Sequence, residues 1–358
     1  MLLYLLFFAI AAALVQQYTL RHALDGVSYD THPSRTTVDP GEHFEVITEI
    51  ANAKRLPVSF LKVQETLPLE IEAADELPLR RDPEVTRLTT TTFLKPKQKL
   101  TRSFTAYIDH RGRYFFRGAV LAGGDFLGMR TVTDYYPVNR EVVVLPKAMP
   151  GVTVRQTLGD FLGDVSVNRF IMEDPVLTLG FRDYTGREPQ RAISWTQSAR
   201  MGRVMVKNYD HTLDLSVTLI LNVEHPEGLE NAGQRIEDCF SCARSVCEVL
   251  EERKIKYGMV TNATSAGAIG LWSQVGDGLG QNHLMTILEG LGRATHSSTR
   301  RFAAIVEGAV RRDEAGRYYI VITPCMTDEY RALLSRLSAL KGGKVFTFDV
   351  SQMEGGNA

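Results

Sequence analysis

Residues 180 to 207, GFRDYTGREPQRAISWTQSARMGRVMVK, concentrate five arginines, one lysine, a tryptophan and two acids in a chain whose formal net charge is −1. Three kinds of chemistry fit those residue types. An enzyme on an anionic substrate would use Asp183 and Glu188 as acid and base and Arg182, Arg187 and Arg191 as anion clamps. A structural latch would send the arginines into carbonyls and carboxylates around a buried Trp195. A docking surface would use arginine and tryptophan, both favoured at interface hot spots, to recruit an acidic protein partner. Latch and docking surface rank above catalysis, because two acids without a nucleophile, a metal ligand or a cofactor pocket do not define a reaction. The enzyme remains the alternative.

No other motif completes a catalytic set. Cys239 and Cys242 have C-x-x-C spacing, but they fall in a helical pattern whose apolar stripe is Ile236, Phe240, Ala243, Val246, Cys247 and Leu250. Free cysteine behaves there as a small hydrophobe. The eight histidines form no H-x-x-x-H pair. GDGLGQNH, residues 276 to 283, matches neither glycine-rich phosphate motif and reads as a flexible loop. No cofactor or metal is expected, and near-neutral charge gives no global field for nucleic acid.

The elements that must position these residues follow from period. The start, MLLYLLFFAIAAALV, carries nine Leu, Ile, Val and Phe residues and no charge. Fifteen helical residues reach about 22 Å against a hydrocarbon core of about 30 Å, so Gln16 to Leu20 would lie in the interface with Tyr18 as anchor. Residues 1–20 are therefore expected to form a single-pass membrane anchor, with a cleaved signal peptide and a buried helix as competitors. Arg21 on the carboxyl side puts the bulk of the chain in the cytoplasm, at the cell membrane. Four cysteines, all in the second half and three within nine residues, agree with a reducing compartment.

Within a domain of residues 21–150, the dominant period from about Val27 to Pro146 is two. Phe44, Val46, Thr48 and Ile50 share one face against Glu45 and Glu49, and Leu61, Val63 and Leu67 oppose Lys62, Gln64 and Thr66. Further strand-like runs are VTRLTTTTFL, LTRSFTAYI, GRYFFRGAVL, GMRTVTDYY and EVVVLP. Seven or eight short strands in this length predict an immunoglobulin-like antiparallel β-sandwich. Residues 151–212 form a connector that carries the arginine-rich stretch, with a helix in QRAISWTQSARM ended by Gly202 and a strand in RVMVKNY. Residues 213–351 alternate strands and helices, as in a parallel, doubly wound sheet, and 352–358 form a tail.

Gly180, Arg182, Tyr184, Gly186, Arg191, Ile193, Trp195, Ser198, Ala199 and Arg200, with Lys207 following, resemble the signature of domain-of-unknown-function family 58, found mainly in bacteria and archaea. Arg187 departs from the family's usual Asp at that place, and Glu188 could substitute if the Asp only pairs with an arginine. RLPVSFLKVQETLP, DHRGRY and GDFLGMR resemble the family's amino-terminal β-domain, which often follows a hydrophobic anchor. The resemblance implies an α+β multidomain chain: membrane helix, immunoglobulin-like sandwich, then an α/β von Willebrand A-like (Rossmann-like) domain. It also implies a membrane-tethered, non-enzymatic adaptor working with a MoxR-type AAA+ ATPase, often beside a transglutaminase-like membrane protein, in assembly or maturation of other proteins. A von Willebrand A-like domain would place Asp-x-Ser-x-Ser at the end of its first strand. This chain has Asn222, Glu224 and His225 there, a degenerate metal site with too few oxygen donors for a hard cation.

Overall fold

Alternation of apolar and polar side chains produces the first half of the chain, and a switch to helical period produces the second. The computed structural model describes residues 2–125, 130–149, 151–159, 161, 163, 174–186, 190–210, 216–265, 273–311, 317–342 and 344–352. The fold is mixed α+β. Two compact units emerge, Met1–Lys147 with Leu291–Arg293, and Ala148–Gly290 with Ala294–Ala358.

Helix α1 covers Leu2–Arg21. Among the described residues no helix is long and apolar enough to cross a membrane, so the span expected over residues 1–20 is not supported. Its apolar run stops at Val15, and the following turns engage protein: Gln16 Nε2 donates to the buried Asp125 carboxylate at 2.7 Å. Just beyond the helix, Lys54 Nζ donates to the His22 and Ala23 carbonyls at 2.6 and 2.5 Å. Partial burial holds the Lys54 pKa below the usual lysine range, with the Asp25 charge opposing. Toward the amino terminus, Tyr4, Phe7, Ile10 and Leu14 are exposed.

Ten strands follow: β1 Val27–Pro33, β2 Thr37–Val38, β3 Phe44–Asn52, β4 Val58–Leu67, β5 Glu72–Ala73, β6 Leu79–Arg81, β7 Thr86–Leu94, β8 Lys99–Tyr107, β9 Gly112–Gly124 and β10 Thr131–Val144. They build two sheets, ordered β1-β3-β8-β5 and β2-β10-β9-β4-β7-β6, antiparallel except for the short β2–β10 pair. The sheets face each other across a shared core. Phe44, Val46, Ala106 and Ile108 of one meet Leu88, Phe116, Val142 and Val144 of the other, and Val27, Tyr29 and Ile50 meet Leu61, Val63, Leu94 and Leu121. The sequence splits β10 into two strands; the structure makes it one, with a register shift between Pro137 and Arg140. Gly118 sits opposite at φ +115°, where a Cβ would lie 2.1 Å from the Tyr136 carbonyl oxygen. Only glycine allows that approach.

A buried acid, Glu65, lies between the two sheets. Glu65 is 1% exposed and accepts from Tyr29 Oη at 2.9 Å, Thr48 Oγ1 at 2.6 Å and Arg102 Nη2 at 2.6 Å. Those partners make its burial tolerable. Burial, and then the Glu65 charge, push the Tyr29 phenol well above its usual range.

In the second unit, helix α2 spans Gly151–Thr157. Strands β11, Asp174–Asp183, and β12, Met205–Asp210, then pair antiparallel around helix α3, Trp195–Met201. β11 takes in the DPV that the sequence leaves to an aperiodic connector. The α/β sheet has the order β16-β14-β13-β18-β19, with β13 Ser216–Leu221, β14 Lys256–Thr261, β16 Gln274–Gly278, β18 Arg317–Thr323 and β19 Val345–Asp349. β14, β13, β18 and β19 run parallel, while β16 is antiparallel at the edge. The GDG at 276–278 thus belongs to an edge strand and not to a loop. It lacks an apolar alternation, so only its backbone pairing reveals it. A small pair, β15 Ala263–Ser265 and β17 Ala294–Ser298, lies apart.

Every residue of β13 is buried, as in a strand covered on both faces. Helix α4, Ala232–Glu252, buries the predicted stripe together with Cys239 and Cys242. Helix α5 covers Gln281–Arg293. Helices α6, Phe302–Arg311, and α7, Asp328–Leu340, pack Phe302, Ile305, Tyr330 and Leu334 against Ile220, Tyr319 and Val321. Thr327 starts α7 by accepting from Tyr330 N–H at 3.2 Å, with Asp328 and Glu329 in the first turn.

Candidate functional site

The arginine-rich stretch folds as a β-strand pair with a helix laid across it. Phe181 pairs with Lys207 and Asp183 with Met205, Tyr184 N–H donates to the Val204 carbonyl at 2.9 Å, and Ile193 bridges to Val206. Gly180 follows an irregularity in the β11 register. Gly186 takes φ +87°, in the left-handed region that suits glycine, and Gly202 ends α3 at φ +65° as the sequence predicts. Ser198 ties helix to strand: its Oγ donates to the Ser194 carbonyl and accepts from Met205 N–H, both at 2.8 Å.

The side chains that could meet a ligand point outward. Trp195 is 69% exposed, against the burial that a latch requires. Met201, Phe181, Val204 and Tyr184 are exposed beside it, as are Arg182 and Arg200. Arg203, which the sequence reading left without a role, bonds Asp183 at 3.0 Å with both side chains more than half exposed. Asp183 is thereby a surface ion-pair partner. Arg191 lies in a single 3-10 turn, Gln190–Ala192, and Arg187 and Glu188 lie outside the described residues.

A second polar cluster closes the carboxyl ends of the central strands. Asn222, Asn262 and Thr323 follow or end β13, β14 and β18, and all three are fully buried. Asn222 Nδ2 donates to Thr323 Oγ1 and to the Glu224 carbonyl, each at 3.1 Å. Its Oδ1 accepts from Asn262 Nδ2 at 2.8 Å and from Glu224 N–H at 2.9 Å, and Asn262 Oδ1 accepts from Val223 N–H at 2.9 Å. The Glu224 carboxylate is engaged too, accepting from Phe302 N–H at the start of α6. Burial, then the Glu224 charge, push the neighbouring Tyr330 phenol up to about 12. A divalent cation needs converging oxygen lone pairs. Asn222 instead spends its amide N–H groups on Thr323 and the Glu224 carbonyl and its Oδ1 on Asn262 and the Glu224 N–H, so this donor set does not fit a cation. His225 stands outside it, half-buried, with Nδ1 3.0 Å from the Pro226 carbonyl.

Sequence reasoning named Asn222 and Glu224 but missed Asn262 and Thr323. The signal is positional: each is a polar residue at the end of a buried apolar strand. The four cysteines are buried, and burial pushes the Cys242 thiol up to about 12 and raises the other three.

No family model and no curated protein matches the chain. Among solved structures, similarity extends to a non-cellulosomal cohesin from the archaeon Archaeoglobus fulgidus, 13% identical over 33% of this chain and 91% of that one, at a TM-score of 0.24. The CARDB domain of a Pyrococcus furiosus protein, in complex with di-metal ions, is 12% identical over 34% of this chain and 90% of its own, at a TM-score of 0.22. The alkylpurine DNA glycosylase AlkC of Pseudomonas fluorescens is 11% identical over 37% and 34%, at a TM-score of 0.21. At such TM-scores none of the three carries an argument about this chain.

Proposed function

We propose that the protein is a non-enzymatic interaction module of domain-of-unknown-function family 58, attached to the cell membrane through α1, that works with a MoxR-type AAA+ ATPase in assembling or maturing other proteins. One observation carries the reading. Trp195, the largest side chain of the family-like motif, faces solvent with other apolar and cationic residues of the motif also exposed, as a partner-docking anchor does and a core residue does not. The exposed apolar residues of α1 support lipid attachment, with the bulk of the chain on the cytoplasmic side. An order that sets β13 between β14 and β18 supports the von Willebrand A-like reading of the second unit, and the two facing sheets of the first support the immunoglobulin-like one.

The test is capture of the AAA+ ATPase encoded nearest to this chain by the full-length protein, with and without ATP, beside Trp195→Ala. Nucleotide-dependent capture that the folded variant loses is the expected result. Equal capture by the variant, or none by either, sinks the reading.

A further inference from the structure

We infer that the end of the sandwich that carries α1 seats on a bilayer surface of anionic lipid headgroups, with Arg21, Arg55, Lys95 and Arg130 as charge partners; this rests on the membrane attachment proposed above. Strand register fixes which segments share that end. Val27 at the start of β1 pairs with Asn52 at the end of β3, and Ala51 beside it pairs with Lys99 at the start of β8. Val58 at the start of β4 pairs with Leu94 at the end of β7, and Leu61 with Gly123, next to the Gly124–Thr131 pair that opens β10. Residues 22–26, 53–57 and 95–98, with Asp125 and Arg130, therefore meet at one end. Ala53 N–H donates to the Gly26 carbonyl at 2.8 Å and Lys97 N–H to the Lys54 carbonyl at 3.2 Å, which joins three of the segments directly. The last turns of α1 arrive at the same place, where Gln16 reaches Asp125 and Lys54 reaches the His22 and Ala23 carbonyls.

Charge separates this end from the opposite one. Arg21, Lys54, Arg55, Lys95, Lys97 and Arg130 stand here against two acids, Asp25 and the fully buried Asp125. Residues 34–43, 68–85 and 108–111, which connect β1 to β3, β4 to β7 and β8 to β9 at the opposite end, hold nine acids against four arginines. Two of the six cations are already engaged, since Lys54 and Lys97 spend Nζ on backbone carbonyls. Arg21, Arg55, Lys95 and Arg130 are exposed and carry no ion pair among the described residues. Leu56, 37% exposed, adds an apolar side chain next to Arg55.

The placement selects the occupant. Unpaired cations on four segments at the base of an exposed apolar helix match a surface that is negative and borders hydrocarbon, which is an anionic bilayer. A nucleic acid would satisfy the cations but leave Tyr4, Phe7, Ile10 and Leu14 of α1 uncovered. The same surface would repel the acidic opposite end, so the charge separation also turns α1's end toward the lipid.

The test titrates full-length protein with vesicles of phosphatidylcholine alone and of phosphatidylcholine with about 30% phosphatidylglycerol, read by flotation. Partition onto the anionic vesicles is expected to be at least about tenfold tighter. Raising NaCl from about 0.05 to about 0.3 M should shrink that preference at least about threefold. Arg55→Glu with Lys95→Glu should remove most of it. Arg80→Glu with Arg81→Glu, the same charge change at the opposite end, should keep it. Circular dichroism of both variants should match the parent, because all four side chains are exposed. Equal partition onto the two vesicles, a preference kept by the first variant or lost by the second, or tighter binding of a single-stranded oligonucleotide would each overturn the proposal. Equal partition that Phe7→Asp with Ile10→Asp abolishes would leave attachment through α1 standing without it. A preference for anionic vesicles that those two aspartates do not change would keep the proposal and remove α1 from the attachment.

Discussion

Asn222 Nδ2 donates to Thr323 Oγ1 across 3.1 Å of fully buried space, joining the ends of two neighbouring parallel strands. That bond lies at the crevice where open α/β sheets commonly take a ligand. Here side chains of the protein itself fill it. Removing the amide in Asn222→Ala leaves Asn262, Thr323 and the Glu224 carbonyl short of partners, at an expected cost of about 2–3 kcal/mol. Asn222→Asp should cost a similar amount at neutral pH, because a carboxylate cannot donate to those two oxygens. Urea unfolding measures both. Parent stability should not respond to EDTA, and a fall in its midpoint on chelation would contradict the account of the crevice.

Gly118→Ala should be among the most damaging single substitutions in the sandwich. The new Cβ would overlap the Tyr136 carbonyl and require a φ of +115° from an L-residue. A loss of at least about 2 kcal/mol is expected, seen as a lower melting temperature by circular dichroism. Retained stability would mean that the β10 bulge relaxes easily, and that its register is not fixed by this contact.

Much of this fold was legible in the sequence, and the failures have physical causes. The inward faces of β3 and β4 followed from period two, and α4 from its apolar stripe. Glu65 shares the parity of Leu61, Val63 and Leu67, so the strand pattern places it inside. Its residue type argued the other way, and only the distant Tyr29, Thr48 and Arg102 resolve the conflict. β16 escaped because its sequence carries no alternation, and β11 because its alternation of Leu177, Leu179 and Phe181 with Thr178, Gly180 and Arg182 begins only after an irregular DPV; backbone pairing defines both. Site residues were legible as a cluster, but exposure was not: arginine and tryptophan at the same spacing suit a buried latch and an open surface equally well.

The buried thiols give a pH prediction. Cys242 has a folded pKa pushed up to about 12 from an ordinary value of 9.0. A raised acid pKa stabilises the fold fully below the ordinary value and loses that contribution as pH climbs toward the folded one. Unfolding free energy should therefore decline from about pH 9 to about pH 12. At about pH 8 the four cysteines should resist a thiol reagent in the native protein and react in denaturant. Rapid native labelling at Cys239 or Cys242 would show that α4 opens locally.

The exposed apolar start of α1 predicts lipid attachment. Full-length protein should float with liposomes, and Phe7→Asp with Ile10→Asp should leave it in the soluble fraction, because both changes replace lipid-facing apolar area of an interfacial helix with charge. The sandwich should stay folded in that variant, since neither residue is buried. Flotation unaffected by both aspartates would locate attachment elsewhere.

Ser198 and Trp195 stand three residues apart in the same motif and should behave oppositely. Ser198 is half-buried and satisfies both the Ser194 carbonyl and the Met205 N–H, so Ser198→Ala should lower stability by about 1–2 kcal/mol. Trp195 is largely exposed, and Trp195→Ala should leave stability within about 0.5 kcal/mol of the parent. The pair divides the motif into a residue that builds the surface and a residue that the surface displays. Chemical denaturation of the two variants decides it. Should Trp195→Ala prove the more destabilising, the tryptophan is a packing residue and the motif a latch after all.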